Sequence, residues 1–176
     1  MTARPEVRRS LLMIRQLIRQ RGFSRLKAVG LSAVICLWGA QAMAVDGLTT
    51  VASSHGPRDT MNRLEAEVRA KGMMVFARID HAAGAAEAGL SLRPTELLIF
   101  GNAKTGTALM QSVQTAGIDL PLKALVWQDA SGNTWLSYDD PDWVAKRHGV
   151  GQEVGPMIGA MAAALGAIAR TATTSP

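Results

Sequence analysis

The pattern of apolar and polar positions divides the chain into short segments, and its period changes at glycine, proline and polar clusters. Leu48–Ser53 is rich in residues that suit a strand. Pro57 then opens a helix in which Met61, Leu64 and Val68 recur at i, i+3 and i+7, and Lys71-Gly72 closes it. Met73–Ile79 reads as a second strand, and the alanine-rich stretch Gly84–Gly89 as a short helix. The continuous apolar run in Thr95–Phe100 predicts a buried strand. Lys104–Thr115 reads as a helix with Leu109, Met110 and Val113 on one side, stopped at Gly117. Leu122–Gln128 and Thr134–Tyr138 read as two strands joined by the polar, glycine-containing link Asp129–Asn133, a hairpin signal. Asp140 and Pro141 suit the N-cap and first position of a helix ending near His148-Gly149.

The tail is different. Val154–Ala169 is apolar on all sides, with small residues recurring at Gly155, Gly159 and Ala163. Such a segment predicts a helix covering the sheet, with a dimer contact or membrane association as the alternatives. Thr171–Pro176 reads as a frayed end. An antiparallel hairpin among interspersed helices makes the fold class α+β, in the order β-α-β-(α)-β-α-β-β-α, as one compact domain.

The first 44 residues follow another logic. Eight arginines and lysines fall within residues 1–27, opposed by Glu6 alone. The apolar run Ala28–Gly39 follows, and then Ala42-Met43-Ala44. A basic segment, a short apolar run and a small-x-small site predict a secretory signal peptide over 1–44, cleaved after Ala44, with cleavage between Ala42 and Met43 as second choice. The expected location is the periplasm. The alternative is an inner-membrane anchor over residues 28–44, although that run is shorter than the roughly 20 residues a span requires. A mitochondrial transit peptide ranks third, and translation from Met13 instead of Met1 is a further alternative. Behind this leader the expected divisions are 45–150 for the α+β domain and 151–176 for the apolar helix and tail.

That division changes the meaning of the charge. The whole chain carries a formal +5. Residues 1–44 hold eight of the 19 basic residues and one of the 14 acidic ones, so 11 basic and 13 acidic residues remain, a net −2. No basic cluster is left to neutralise phosphates, and nucleic acid is not an expected partner. Membrane contact is expected only if the leader is retained. The single cysteine, Cys36, lies in the leader, which excludes a disulfide in the remainder.

Two runs are distinctive: Phe100-Gly101-Asn102-Ala103-Lys104-Thr105-Gly106-Thr107, and Leu120-Pro121-Leu122-Lys123-Ala124-Leu125 on the first hairpin strand. With Asp80-His81 and the stretch from Leu92 they resemble the bacterial and archaeal family called domain of unknown function 302, over about Met73–Val150. The resemblance implies a curved antiparallel sheet with helices on one face and often a homodimer. It implies no activity and no cofactor.

The polar residues are weighed on their own chemistry. Gly101–Thr107 follows a strand and opens a helix, a place where backbone N–H groups can hold a small anionic ligand. It is not a nucleotide-binding P-loop, because Thr107 stands where that motif needs lysine. Its Asn102 or Thr105 would equally serve as a helix cap. His81 beside Asp80 offers a general base, or a metal ligand oriented by a carboxylate. His55, His81 and His148 lack metal-ligand spacing, so no metal ligand is assigned. Arg93 and Glu96 would pair or address a ligand. Lys123 is expected at the sheet surface and is retained because of the family pattern. Trp127 and Trp135 are expected to pack across the hairpin. No serine has the context of a hydrolase nucleophile.

The leading expectation is an exported, non-enzymatic domain binding a small ligand or a partner, as a homodimer. Its ligand-binding candidates are His81, Arg93, Glu96, Asn102, Lys104, Thr105, Thr107 and Lys123. The first alternative is an enzyme with His81 and Asp80 as catalytic candidates and Gly101–Thr107 holding an anionic substrate. The second is a periplasmic metal-handling protein. Convergence of His81, Glu96 and Lys104 in one cleft is the geometric condition on both site-based readings.

Overall fold

A computed structural model describes residues 45–175. The leader, its cleavage site and the anchor alternative therefore lie outside the described residues. The element order is β1 (Leu48–Ser53), α1 (Pro57–Ala70), β2 (Met74–Asp80), α2 (His81–Glu87), β3 (Thr95–Gly101), α3 (Ala103–Ser112), β4 (Leu122–Gln128), β5 (Thr134–Asp139), α4 (Pro141–His148) and α5 (Gly155–Thr173). The five strands form one antiparallel sheet in the order β1-β5-β4-β3-β2. The fold is α+β, as the segment order implies.

The alternation of each strand decides the layering. Leu98 and Phe100 of β3, Ala124 and Val126 of β4, and Leu136 and Tyr138 of β5 point to one face. There they meet Met61, Leu64 and Val68 of α1 and Leu165, Ile168, Ala169 and Ala172 of α5. A smaller cluster of Leu109, Ala116 and Ile158 joins α3 and the following turn to α5. The opposite face carries Leu97, Ile99, Leu125, Trp127 and Trp135, all only half-buried. Trp127 and Trp135 are register partners and stack with ring centroids 6.1 Å apart. The Trp127 indole N–H donates to Ser137 Oγ at 2.9 Å, and that hydroxyl contacts Thr50 Oγ1 at 2.9 Å.

Most local signals act as read. Pro57 is at the start of α1, and Asp140 caps α4 by accepting from the Asp142 N–H at 2.8 Å. Gly149 ends α4 at φ 63°, a left-handed conformation that costs glycine nothing. One boundary moves. The helix expected over Lys104–Thr115 ends at Ser112, and Gln114–Ile118 forms a tighter 3-10 turn. Val113 is extended there, which breaks the helical ladder before Gly117 is reached.

The all-apolar tail meets two surfaces. The α5 face with Ile158, Leu165, Ile168 and Ala172 enters the core. Its Met157, Ala160, Met161 and Ala164, one helical stripe away, line a cleft, and Met157 and Met161 also pack against the smaller cluster. Gln152–Thr173 is long and apolar enough to cross a membrane, and only 22% of its most apolar stretch is buried within the domain.

Candidate functional site

The cleft opens where β3 ends and α3 begins. Its volume is about 470 Å³, within the roughly 300–1,000 Å³ of small-molecule sites. The α5 stripe forms one wall, and Thr105, Thr107 and Met110 of α3 form the other. Met73, Phe76, Leu120, Pro121 and Leu122 complete the lining. At Gly101 a methyl group would make ordinary contact, 3.7 Å from Pro121 Cβ and 3.8 Å from the Phe76 ring. The lining is predominantly apolar. Four of the six methionines after Val45 contribute to it, namely Met73, Met110, Met157 and Met161. Flexible thioether side chains make a wall that can adapt to its occupant. Phe76 remains half-exposed beside it.

The residues expected to form one site divide between the two ends of β3. Asn102, Thr105 and Thr107 line the cleft. Lys104 lies on the same turn but is exposed and outside the lining. Glu96 stands six residues before Asn102 along an extended strand, roughly 20 Å away. His81 follows Asp80, which is Glu96's register partner, so it shares the far end. The condition on His81, Glu96 and Lys104 is therefore not met.

At that far end each group has a local structural task. Asp80 caps α2, its Oδ1 accepting from the Ala83 N–H at 2.9 Å. His81 is exposed at the first position of that helix. Arg93 and Glu96 do not pair. The Arg93 Nε donates to the Gln128 carbonyl at 3.0 Å, while Glu96 binds Arg78 on the neighbouring strand. Glu96 points to the helix side of the sheet, where Arg78 also reaches Glu65 at 3.2 Å and Asn62 at 2.9 Å. The Glu96 hydrogen bond is the chief cause raising the Arg78 pKa above its ordinary value. Glu65 is held below the ordinary carboxylate range, first by Arg69 and then by Arg78.

At the cleft, Asn102 Oδ1 accepts from the Lys104 N–H at 2.9 Å and the Thr105 N–H at 3.4 Å. The helix start is thus capped by its own side chain, the simpler of the two sequence readings. Lys123 is half-buried, not fully solvent-facing, and its Nζ donates to the Asp119 carbonyl at 2.9 Å.

Sequence reasoning missed two features. The methionine lining was one, because its members come from three separate elements or junctions. The other is a chain of hydrogen bonds around His148. Its Nε2 lies 2.7 Å from Asp119 Oδ2, and its Nδ1 lies 3.1 Å from Thr115 Oγ1. No spacing motif announces residues 29 apart. His55 contacts Asp59 and the Thr174 carbonyl, so the three histidines serve three unrelated places. Among the described residues no three His, Cys, Asp or Glu side chains group as metal ligands would.

Residues 49–168 match the family described as Domain of unknown function DUF302. The chain belongs to that family. The match extends beyond the Met73–Val150 resemblance at both ends and reaches into α5. A solved DUF302 protein from Bacillus stearothermophilus, described as an uncharacterized conserved protein, superimposes with a TM-score of 0.65 at 21% identity. That alignment covers 73% of this chain and 99% of the other, and it shows the shared fold. Relatives from Brucella suis and Brucella abortus, both named fluoride-specific ion channel FluC 1, are 49% identical over 126 residues. The alignments cover 72% of this chain but 50% and 47% of those proteins, so the chain spans about half the length of the curated relatives it matches. Only 56 residues of this chain lie outside 49–168, so at least 70 of the 126 aligned residues fall within the DUF302 domain.

Proposed function

We propose that this DUF302 domain is an exported, non-enzymatic protein that binds a small apolar ligand in the cleft between α3 and α5. The carrying observation is the methionine-rich lining of a 470 Å³ space, to which Met73, Met110 and the α5 residues Met157 and Met161 contribute. Nothing in the geometry favours the enzyme alternative, since Asp80 is engaged in a helix cap instead of orienting His81. The metal-handling alternative has no ligand group behind it among the described residues. Cleavage of the leader after Ala44 would leave β1, and with it the whole sheet, intact.

The test is saturable uptake of a neutral apolar dye, N-phenylnaphthylamine, by the chain starting at Val45. Ala160 is exposed in the cleft and outside the core, so Ala160→Trp should fill the space and abolish uptake while the fold is retained. Uptake that does not saturate, or that survives Ala160→Trp, defeats the proposal. Sodium fluoride against sodium chloride, in a thermal-shift measurement at equal ionic strength, addresses the name carried by the Brucella relatives. A stabilisation unique to fluoride would replace the apolar ligand with that ion.

A second reading is a partner surface on the sheet face opposite α1 and α5. Its half-buried Leu97, Ile99, Leu125 and Trp127 favour it, and a homodimer is the expected occupant. Sedimentation of the protein and of Leu125→Glu decides this: a dimer that the substitution dissociates supports it, and a monomer at high concentration removes it.

A further inference from the structure

We infer that the ligand of the cleft is a free, single-tailed amphiphile with an anionic head, of the kind represented by a fatty-acid carboxylate. This rests on the apolar-ligand reading of the cleft and adds the chemistry of one end of the ligand. Among the described residues that line the cleft, only Lys71 is charged, and no aspartate or glutamate joins it. Lys71 is exposed at the C-terminal boundary of α1, next to Met73 and near the base of the methionine wall. Among the described residues the ion pairs of this region are His55–Asp59, Arg63–Asp59, Arg69–Glu65 and the Arg78 cluster, and Lys71 takes part in none of them. None of these carboxylates competes with a ligand for its ammonium.

The rest of the lining fixes the other end. Met73, Met110, Met157, Met161, Leu122 and Leu165 present no charge and little polarity to a chain lying between α3 and α5. Unbranched thioethers conform to a tail whose exact shape is unspecified. The N–H groups of Lys104 and Thr105 are already bonded to Asn102, so they do not compete with Lys71 for the head group. A molecule charged at both ends, or carrying a cationic head, would leave a charge against the apolar wall or against Lys71. Such placement is unfavourable. A compact anion without a tail would use Lys71 alone, a single exposed contact.

The experiment measures displacement of N-phenylnaphthylamine from the chain starting at Val45 by laurate, by dodecanol and by dodecyltrimethylammonium, below their micellar concentrations. Laurate should displace the dye best and the cationic amphiphile worst. Lys71→Met should weaken laurate by about fivefold, the scale of an exposed ion pair, and leave dodecanol unchanged. Raising the salt concentration should erase the preference for laurate without abolishing displacement by dodecanol. Equal displacement by laurate and dodecanol, with Lys71→Met without effect on either, overturns the anionic head and leaves the apolar-ligand reading standing. Failure of every amphiphile to displace the dye, or absence of dye uptake, overturns both. Displacement only by vesicles containing anionic phospholipid also overturns the inference, because the ligand would then be a membrane surface.

Discussion

The Asp119 carboxylate is shared between His148, 2.7 Å away, and Arg147, 3.3 Å away, so the segment leading into β4 is fastened to the end of α4. Both His148 and Asp119 are largely buried. The Asp119 carbonyl meanwhile receives the Lys123 ammonium. Leu120 and Pro121, next in sequence, are cleft residues. Asp119→Ala should lower stability by about 1.5–3 kcal/mol, the range for a hydrogen bond to a charged group. Urea unfolding monitored by tryptophan fluorescence reads it as a lower midpoint with unchanged slope. A loss under 0.5 kcal/mol, within the usual range for surface substitutions, contradicts the fastening role.

The hairpin turn predicts a pH dependence. Asp129 accepts from the Trp135 indole at 2.9 Å, the Asn133 amide at 3.0 Å and the Ser131 N–H at 2.8 Å. These bonds, the Trp135 one foremost, hold its pKa at about 2, below the ordinary 3.8 of a free aspartate. A folded-state value below the unfolded one stabilises above the unfolded pKa, and the benefit is lost as pH falls through 3.8 toward 2. The melting temperature should therefore fall over that window by more in the native protein than in Asp129→Asn. Equal slopes for the two would show that the turn contributes nothing there.

Gly47 supports the ring of Trp143, and it does so at φ 77°. A methyl group at this position would overlap the indole, and the backbone conformation disfavours any L side chain. Gly47→Ala should cost about 1–3 kcal/mol through overpacking and strain. Arg147 lies over the same ring at 5.4 Å, so Trp143→Ala tests whether the ring itself carries the loss. A melting temperature unchanged by Gly47→Ala refutes the tight packing.

The export reading gives a direct observable. Mass spectrometry of the protein recovered from the periplasm of an expressing bacterium should find Val45 as its first residue. A membrane-bound product starting at residue 1 or 13 supports the anchor alternative instead.

The order of elements was legible because each strand and helix carries its own period and its own punctuation. Pro57, Asp140 and Gly149 stop or start helices by chemistry that needs no distant partner. The candidate site was legible in part. Asn102, Thr105 and Thr107 were placed at the cleft by their position after β3, a local property. Glu96 was not, because a six-residue separation along a strand becomes a long distance in space. The methionine lining and the Asp119–His148 contact were hidden for the same reason in reverse: residues remote in sequence meet only after the sheet and α5 assemble. The apolar composition of the tail was visible, but one composition had to explain two surfaces.

The two ends of the domain leave from opposite ends of β1. Leu48 pairs with Asp139 at one end, while Ser54, just past the other, receives the close of α5 through its N–H and hydroxyl bonds to the Thr173 carbonyl at 2.8 and 2.9 Å. Tension applied between Val45 and Ser175 would therefore run along β1 and load all six β1–β5 register pairs in shear at once, not one after another. Tethered by both ends, the domain would resist extension as a mechanical clasp.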